Sequence, residues 1–118
     1  MNYNEILLNN LRLCNRFSFV IRDFNNISSM EKDILDMFSH FLILDRECSS
    51  WPGTRLYKKT AHVFLYKYTQ TAYEILESLG GDLTDWIHPY RPEDLCFYHN
   101  EQPIFVSITH ECDFYYVE

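Results

Sequence analysis

Residues 61–68, Ala-His-Val-Phe-Leu-Tyr-Lys-Tyr, alternate in a way that only an extended chain can use. Val63, Leu65 and Lys67 fall on one side; Phe64, Tyr66 and Tyr68 fall on the other. Successive side chains of a strand point to opposite faces, so this spacing separates the two sets. Charge appears on one side only, and the aromatic side calls for a cover of helices. A sheet backed by helices is therefore the expected frame.

The helices have start signals. Ser28-Ser-Met-Glu31 is a capping box, and Met30, Ile34, Met37, Phe38 and Phe41 follow on one stripe at 3.6-residue spacing. Residues 41–44 either extend this helix or leave it. Asn4 to Cys14 reads as an earlier helix, with Asn4 as N-cap and Leu7, Leu11 and Cys14 at helical spacing. Thr71-Ala-Tyr-Glu74 is a second capping box, opening a helix that closes at Gly80-Gly81.

Strands are expected at Phe17–Arg22, at Leu95–His99 and Ile104–Thr109 around a loop at 100–103, and at Phe114–Val117. Pro103 is placed where a strand begins, and a missing amide does little harm there. Glycine and proline are scarce, three and four copies, and punctuate only Trp51-Pro-Gly-Thr54 and the stretch from Gly80 to Pro92. The order α-β-α-β-α-β-β-β predicts one α+β domain over residues 1–118, with three helices on one face of a largely antiparallel sheet.

Charge is distributed unevenly along this frame. Residues 71–118 contain ten carboxylates (Glu74, Glu77, Asp82, Asp85, Glu93, Asp94, Glu101, Glu111, Asp113 and Glu118) and one cation, Arg91. Residues 1–70 contain seven acids and nine bases, so the formal net charge of -7 belongs to the second region. Such a field attracts basic partners and repels phosphate backbones. The only basic cluster, Arg55, Lys58 and Lys59, is too small to neutralise a nucleic acid or hold an anionic membrane surface. The longest apolar run, residues 41–44, cannot cross a bilayer, and residues 1–5 lack a signal-peptide pattern. A cytoplasmic protein is expected, with Cys14, Cys48, Cys96 and Cys112 reduced.

Three constellations have residue types suited to chemistry. Cys96, His99, His110 and Cys112 have ligand types that suit zinc. An odd separation turns Cys96 and His99 to opposite strand faces, however, and no CxxC knuckle is present, so no metal is expected. His110-Glu111, with Asp113 and Asp94 as neighbours, has the composition of a general base and its partner, yet adjacent strand residues diverge. The bland alternative is a turn after Thr109. Cys96 or Cys112 as nucleophile is disfavoured by acidic surroundings, which raise a thiol pKa. Glycine-rich nucleotide loops and the GxSxG elbow are missing, so no cofactor is expected.

The segment 81–94 sets Trp86, Tyr90, His88 and Arg91 among Asp82, Asp85, Glu93 and Asp94. Aromatic anchors rimmed by charge are the make-up of an interface hot spot. Equally, Trp86 and Ile87 could plug the core edge while Asp82 or Asp85 caps a short helix.

The C-terminal third, Arg91-Pro-Glu-Asp-Leu-Cys-Phe-Tyr98 followed by Ile104-Phe-Val-Ser-Ile-Thr-His-Glu111, resembles the tail of small bacterial immunity-type proteins. The resemblance implies a non-enzymatic cytoplasmic protein that neutralises a toxin domain, encoded beside it, by binding it. It agrees with the charge, because a basic toxin suits an acidic face. The expected partner-binding set is Asp82, Asp85, Trp86, Tyr90, Glu93, Asp94, Glu111, Asp113 and Tyr115, with Tyr116 a further anchor. The alternative is a small hydrolase or metal-dependent enzyme using His110, Glu111 and Cys112. A third reading is a structural subunit that forms a homodimer through an edge strand at 114–117.

Overall fold

The computed structural model describes residues 2–118. Its elements run α1 (Tyr3–Leu13), β1 (Arg16–Ile21), α2 (Ser29–Met37), β2 (Leu42–Cys48), β3 (Ser50–Trp51), β4 (Thr54–Arg55), β5 (Ala61–Lys67), α3 (Gln70–Leu79), β6 (Glu93–His99), β7 (Gln102–Ile108) and β8 (Asp113–Tyr116). Single turns of 3₁₀ helix stand at 24–26, 39–41, 83–85 and 109–111. Six strands form one antiparallel sheet in the order β2-β5-β1-β6-β7-β8, and β3 and β4 form a separate hairpin. The chain is thus an α+β domain, as its patterning predicts.

Three helices line one face. Ile6 and Leu7 of α1, Ile34 of α2, and Ala72 and Leu76 of α3 share a core with Phe17, Phe19, Phe64, Tyr66, Leu95, Phe97 and Phe105 of the sheet. The aromatic side of β5 is therefore the covered side. Phe17 and Tyr66 stack at 5.0 Å between centroids, and Phe19 and Tyr66 lie 4.9 Å apart. Such pairs add about 0.5–1.5 kcal/mol each beyond their buried area.

The opposite face is covered only in part. The β3–β4 hairpin folds over it, and Trp51 joins Val20, Ala61 and Val63 in a second, smaller cluster. Gly53, at φ +87°, takes the hairpin turn, where a Cβ would meet the side chains of Val106 and Ile108 at 2.9 Å. A glycine is needed there both for its backbone angle and for the close approach.

Several boundaries differ from expectation. Asn2, not Asn4, caps α1, its side chain accepting from the Glu5 amide at 2.8 Å. Thr69, not Thr71, caps α3, its hydroxyl accepting from the Ala72 amide at 3.1 Å. The box at Ser28 forms as read, with both reciprocal bonds present. The loop after His99 tightens to a turn at Asn100 and Glu101, with Asn100 at φ 54°. The chain leaves α2 through the 3₁₀ turn at 39–41 and becomes β2, a strand that the sequence pattern does not disclose. β2 is a sheet edge with mostly exposed residues, so no burial alternation marks it.

Candidate functional site

Arg91 makes the acidity of the second region visible. The one cation of residues 71–118 donates to the carbonyls of Gly80 (2.8 Å) and Leu79 (2.7 Å). It satisfies the open carbonyls at the end of α3 and complements the helix dipole. Among the described residues no carboxylate lies within 4.0 Å of it. Eight of the ten acids of this region, Glu74, Glu77, Asp82, Asp85, Glu101, Glu111, Asp113 and Glu118, are exposed. Among the described residues none of the eight has a cation within 4.0 Å.

They fall in groups. Glu74 and Glu77 stand on α3, with Asp82 and Asp85 on the turn that follows it. Glu111 and Asp113 stand at the β7–β8 turn; Glu101 lies at the other end of β7. A groove of about 350 Å³ joins the 82–84 turn to β8, lined by Tyr3, Ile6, Asp82, Leu83, Thr84 and Phe114. It sets a carboxylate on the rim of an apolar and aromatic floor. There β8 ends the sheet; Tyr115, exposed at 38%, alternates with Phe114 and points to the other sheet face.

Three residues of the expected partner-binding set are corrected by their burial. Trp86 is completely buried, in contact distance of Phe19, with Arg91 5.4 Å from its ring centre. It plugs the core, while the Asp82 amide donates to Asp85 at 2.7 Å across the short 3₁₀ turn. Glu93 and Asp94 are also buried, at 3% and 1% exposure. Tyr90 remains exposed at 60%.

Glu93 and Asp94 instead build an internal cluster. In a regular strand they would point to opposite faces. Asp94 adopts φ 56°, and the pairing of β6 with β1 slips between Ser18 and Val20. That irregularity turns both carboxylates toward Arg22: Nε lies 2.9 Å from Glu93, and the Arg22 Nη2 atom lies 3.5 Å from Asp94. Asp94 also accepts from the Trp51 indole at 2.9 Å and from the Thr109 amide at 2.9 Å, and its own amide donates to the Thr109 hydroxyl. Arg22 stands over the Trp51 ring at 5.3 Å. The cluster ties β1, the hairpin, β6 and the β7–β8 turn together. Of its members, Arg22, Trp51 and Thr109 were not singled out by sequence reasoning. The adjacent pair Glu93-Asp94 was the available signal, because a central strand can rarely hide two acids without an arginine.

His110 belongs to this cluster: its Nε2 lies 2.8 Å from Glu93. The turn after Thr109 forms, but His110 faces a carboxylate and not backbone. Glu111 and Cys112 are exposed on the same turn, Cys112 at φ 51°. Cys96 is buried, and burial pushes its thiol up to about 12. That removes it as a thiolate near neutrality. His99 is exposed. Among the described residues no group of three His, Cys, Asp or Glu is arranged to hold a metal ion. A third buried acid, Glu31, accepts from the Ser28 amide and lies 2.8 Å from His88 Nδ1. It fastens segment 81–94 to the start of α2. No helix of the described residues is long and apolar enough to cross a membrane.

No family model, no curated protein and no solved structure matches this chain.

Proposed function

We propose that the chain is a non-enzymatic immunity-type protein that neutralises a toxin domain by binding it through its acidic surface. The observation that carries this reading is the groove between Asp82 and Phe114, in a region of the chain whose eight exposed carboxylates have no cation within 4.0 Å among the described residues. A lysine or arginine of a partner can lay its aliphatic stem on Tyr3, Ile6 and Phe114 while its charge meets Asp82. The remaining acids would steer the encounter, a contribution to association rate more than to affinity. Asp82, Asp85, Glu111, Asp113, Tyr90 and Tyr115 are the exposed residues assigned to this work. Trp86, Glu93 and Asp94 support the surface from inside.

The test is capture of the product of the adjacent gene by purified protein, with survival of cells that express both. Binding and protection, both lost in Asp82→Lys/Asp113→Lys, are expected. No capture and no protection would end this reading.

A second reading, acid–base chemistry at His110, has one observation in its favour: the pairing with Glu93 at 2.8 Å. A hydrolytic activity abolished by His110→Ala but preserved in Asp82→Lys/Asp113→Lys would promote it over the first.

A further inference from the structure

The sheet face opposite the helices carries a second surface, of the other sign. A trough of about 460 Å³ crosses β2, β5, β1 and β6, within the size range of ligand-binding clefts. Leu44, Val63 and Leu65 form its floor, Trp51 and Pro52 of the hairpin form one wall, and Asn100 and Glu101 form the far rim. Arg16 and Arg46 line it, and among the described residues neither has a carboxylate within 4.0 Å. Ser18 and Tyr98 share a hydrogen bond of 2.8 Å on the same surface. In a chain of net charge -7, two unpaired guanidiniums in one trough with a single acid, Glu101, on its rim are a local reversal of sign.

Its outer border is β2, the last strand of the sheet. An edge strand offers unpaired backbone groups to an incoming extended chain. Leu44 pairs with Leu65, and Arg46 with Val63, so both side chains of β2 face the trough. A chain added to β2 would send every second side chain onto that face. The complement is one apolar side chain beside Leu44 and an acidic one beside Arg46. Two cations are too few to hold a phosphate backbone, which favours carboxylates as the counter-charge.

We infer that β2 and this trough bind an extended, acidic segment of a partner protein by strand addition, with a carboxylate on Arg46 and an apolar residue beside Leu44, while Arg16, two strands further in, adds only to the positive field of the trough. This surface is separate from the acidic groove and does not depend on it.

The experiment titrates the full chain with a blocked peptide, Thr-Glu-Thr-Val-Thr-Glu-Thr, and with its counterpart in which both glutamates are glutamine. Trp51 fluorescence reads the trough, because the other tryptophan, Trp86, is sealed on the far side of the sheet. Backbone amide shifts of residues 42–48 read strand addition. Saturable binding is expected, weakened about five- to tenfold by glutamine and by Arg46→Ala. Arg46 is exposed, so that variant is expected to keep the wild-type melting temperature. Equal binding of both peptides, or none at millimolar concentration, would overturn the inference. So would a wild-type dimer in sedimentation that Leu44→Lys dissolves, since a second copy would then own this edge.

Discussion

Arg22 holds two buried carboxylates at once, and Asp94 gives up regular strand geometry to bring the second one in. Removing the guanidinium strands both charges. Arg22→Ala is therefore expected to destabilise the fold by about 2–4 kcal/mol, below the usual range for a fully buried pair because Arg22 is partly exposed. Urea denaturation measures it; a loss under 0.5 kcal/mol would mean that water already serves those acids. Gly80 gives a cleaner test of a backbone angle. It adopts φ 64° and ψ −166°, a region open essentially to glycine, and no atom lies within 4 Å of an added Cβ. Gly80→Ala is thus expected to cost about 1–3 kcal/mol through strain alone. These positions were unequally legible. Gly80 could be read as a helix stop, whereas Arg22 could not be linked to residues some seventy positions away before the sheet order was known.

At the level of elements, sequence disclosed those whose burial is one-sided. α2 announced itself through Ser28-Ser-Met-Glu31 and through Ile34 and Phe38 of its apolar stripe, although Met30 and Met37 of the same stripe stand exposed, and β5 through its aromatic alternation. β2 stayed hidden, because an exposed edge needs no apolar face and Asp45-Arg-Glu47 looks like a loop. The caps of α1 and α3 were displaced by two residues, since several side chains in each stretch can cap and only tertiary fit selects one. The candidate site divided in the same manner. Acids on turns proved exposed, but the acids of β6 were buried by an irregularity that leaves no pattern in the sequence. The capping box of α2 supports a prediction at this scale. Ser28→Ala removes the acceptor of the Glu31 amide and the donor to the Pro89 carbonyl. A loss of about 1–2 kcal/mol in chemical denaturation is expected, with larger amide exchange in 81–94 than in α3.

For the molecule as a whole, buried phenols and thiols set an alkaline limit. Burial raises the thiol of Cys14 to about 11 and that of Cys96 to about 12, raises Tyr3 to about 12, and moves Tyr66, Tyr68 and Tyr98 upward as well. The folded state holds these protons more tightly than the unfolded chain does. Their contribution is therefore intact below the unfolded values, near 9 for thiols and 10 for phenols, and is lost progressively as pH rises from there through the higher folded values. Melting temperature is expected to fall steadily above about pH 9. A flat profile up to pH 11 would show that these side chains reach water.

The same molecule presents two surfaces of opposite sign: the carboxylates and groove beside β8, and the arginine-lined trough beside β2. The acidic one is the basis of the proposed function. Its most direct test is the association rate of the adjacent gene's product with wild type and with Asp82→Asn/Asp85→Asn/Asp113→Asn, followed by stopped flow from low to physiological salt. A rate that falls steeply with salt for wild type, and that starts lower and falls less for the variant, is the expected result. Identical rates and identical salt slopes for the two proteins would contradict it.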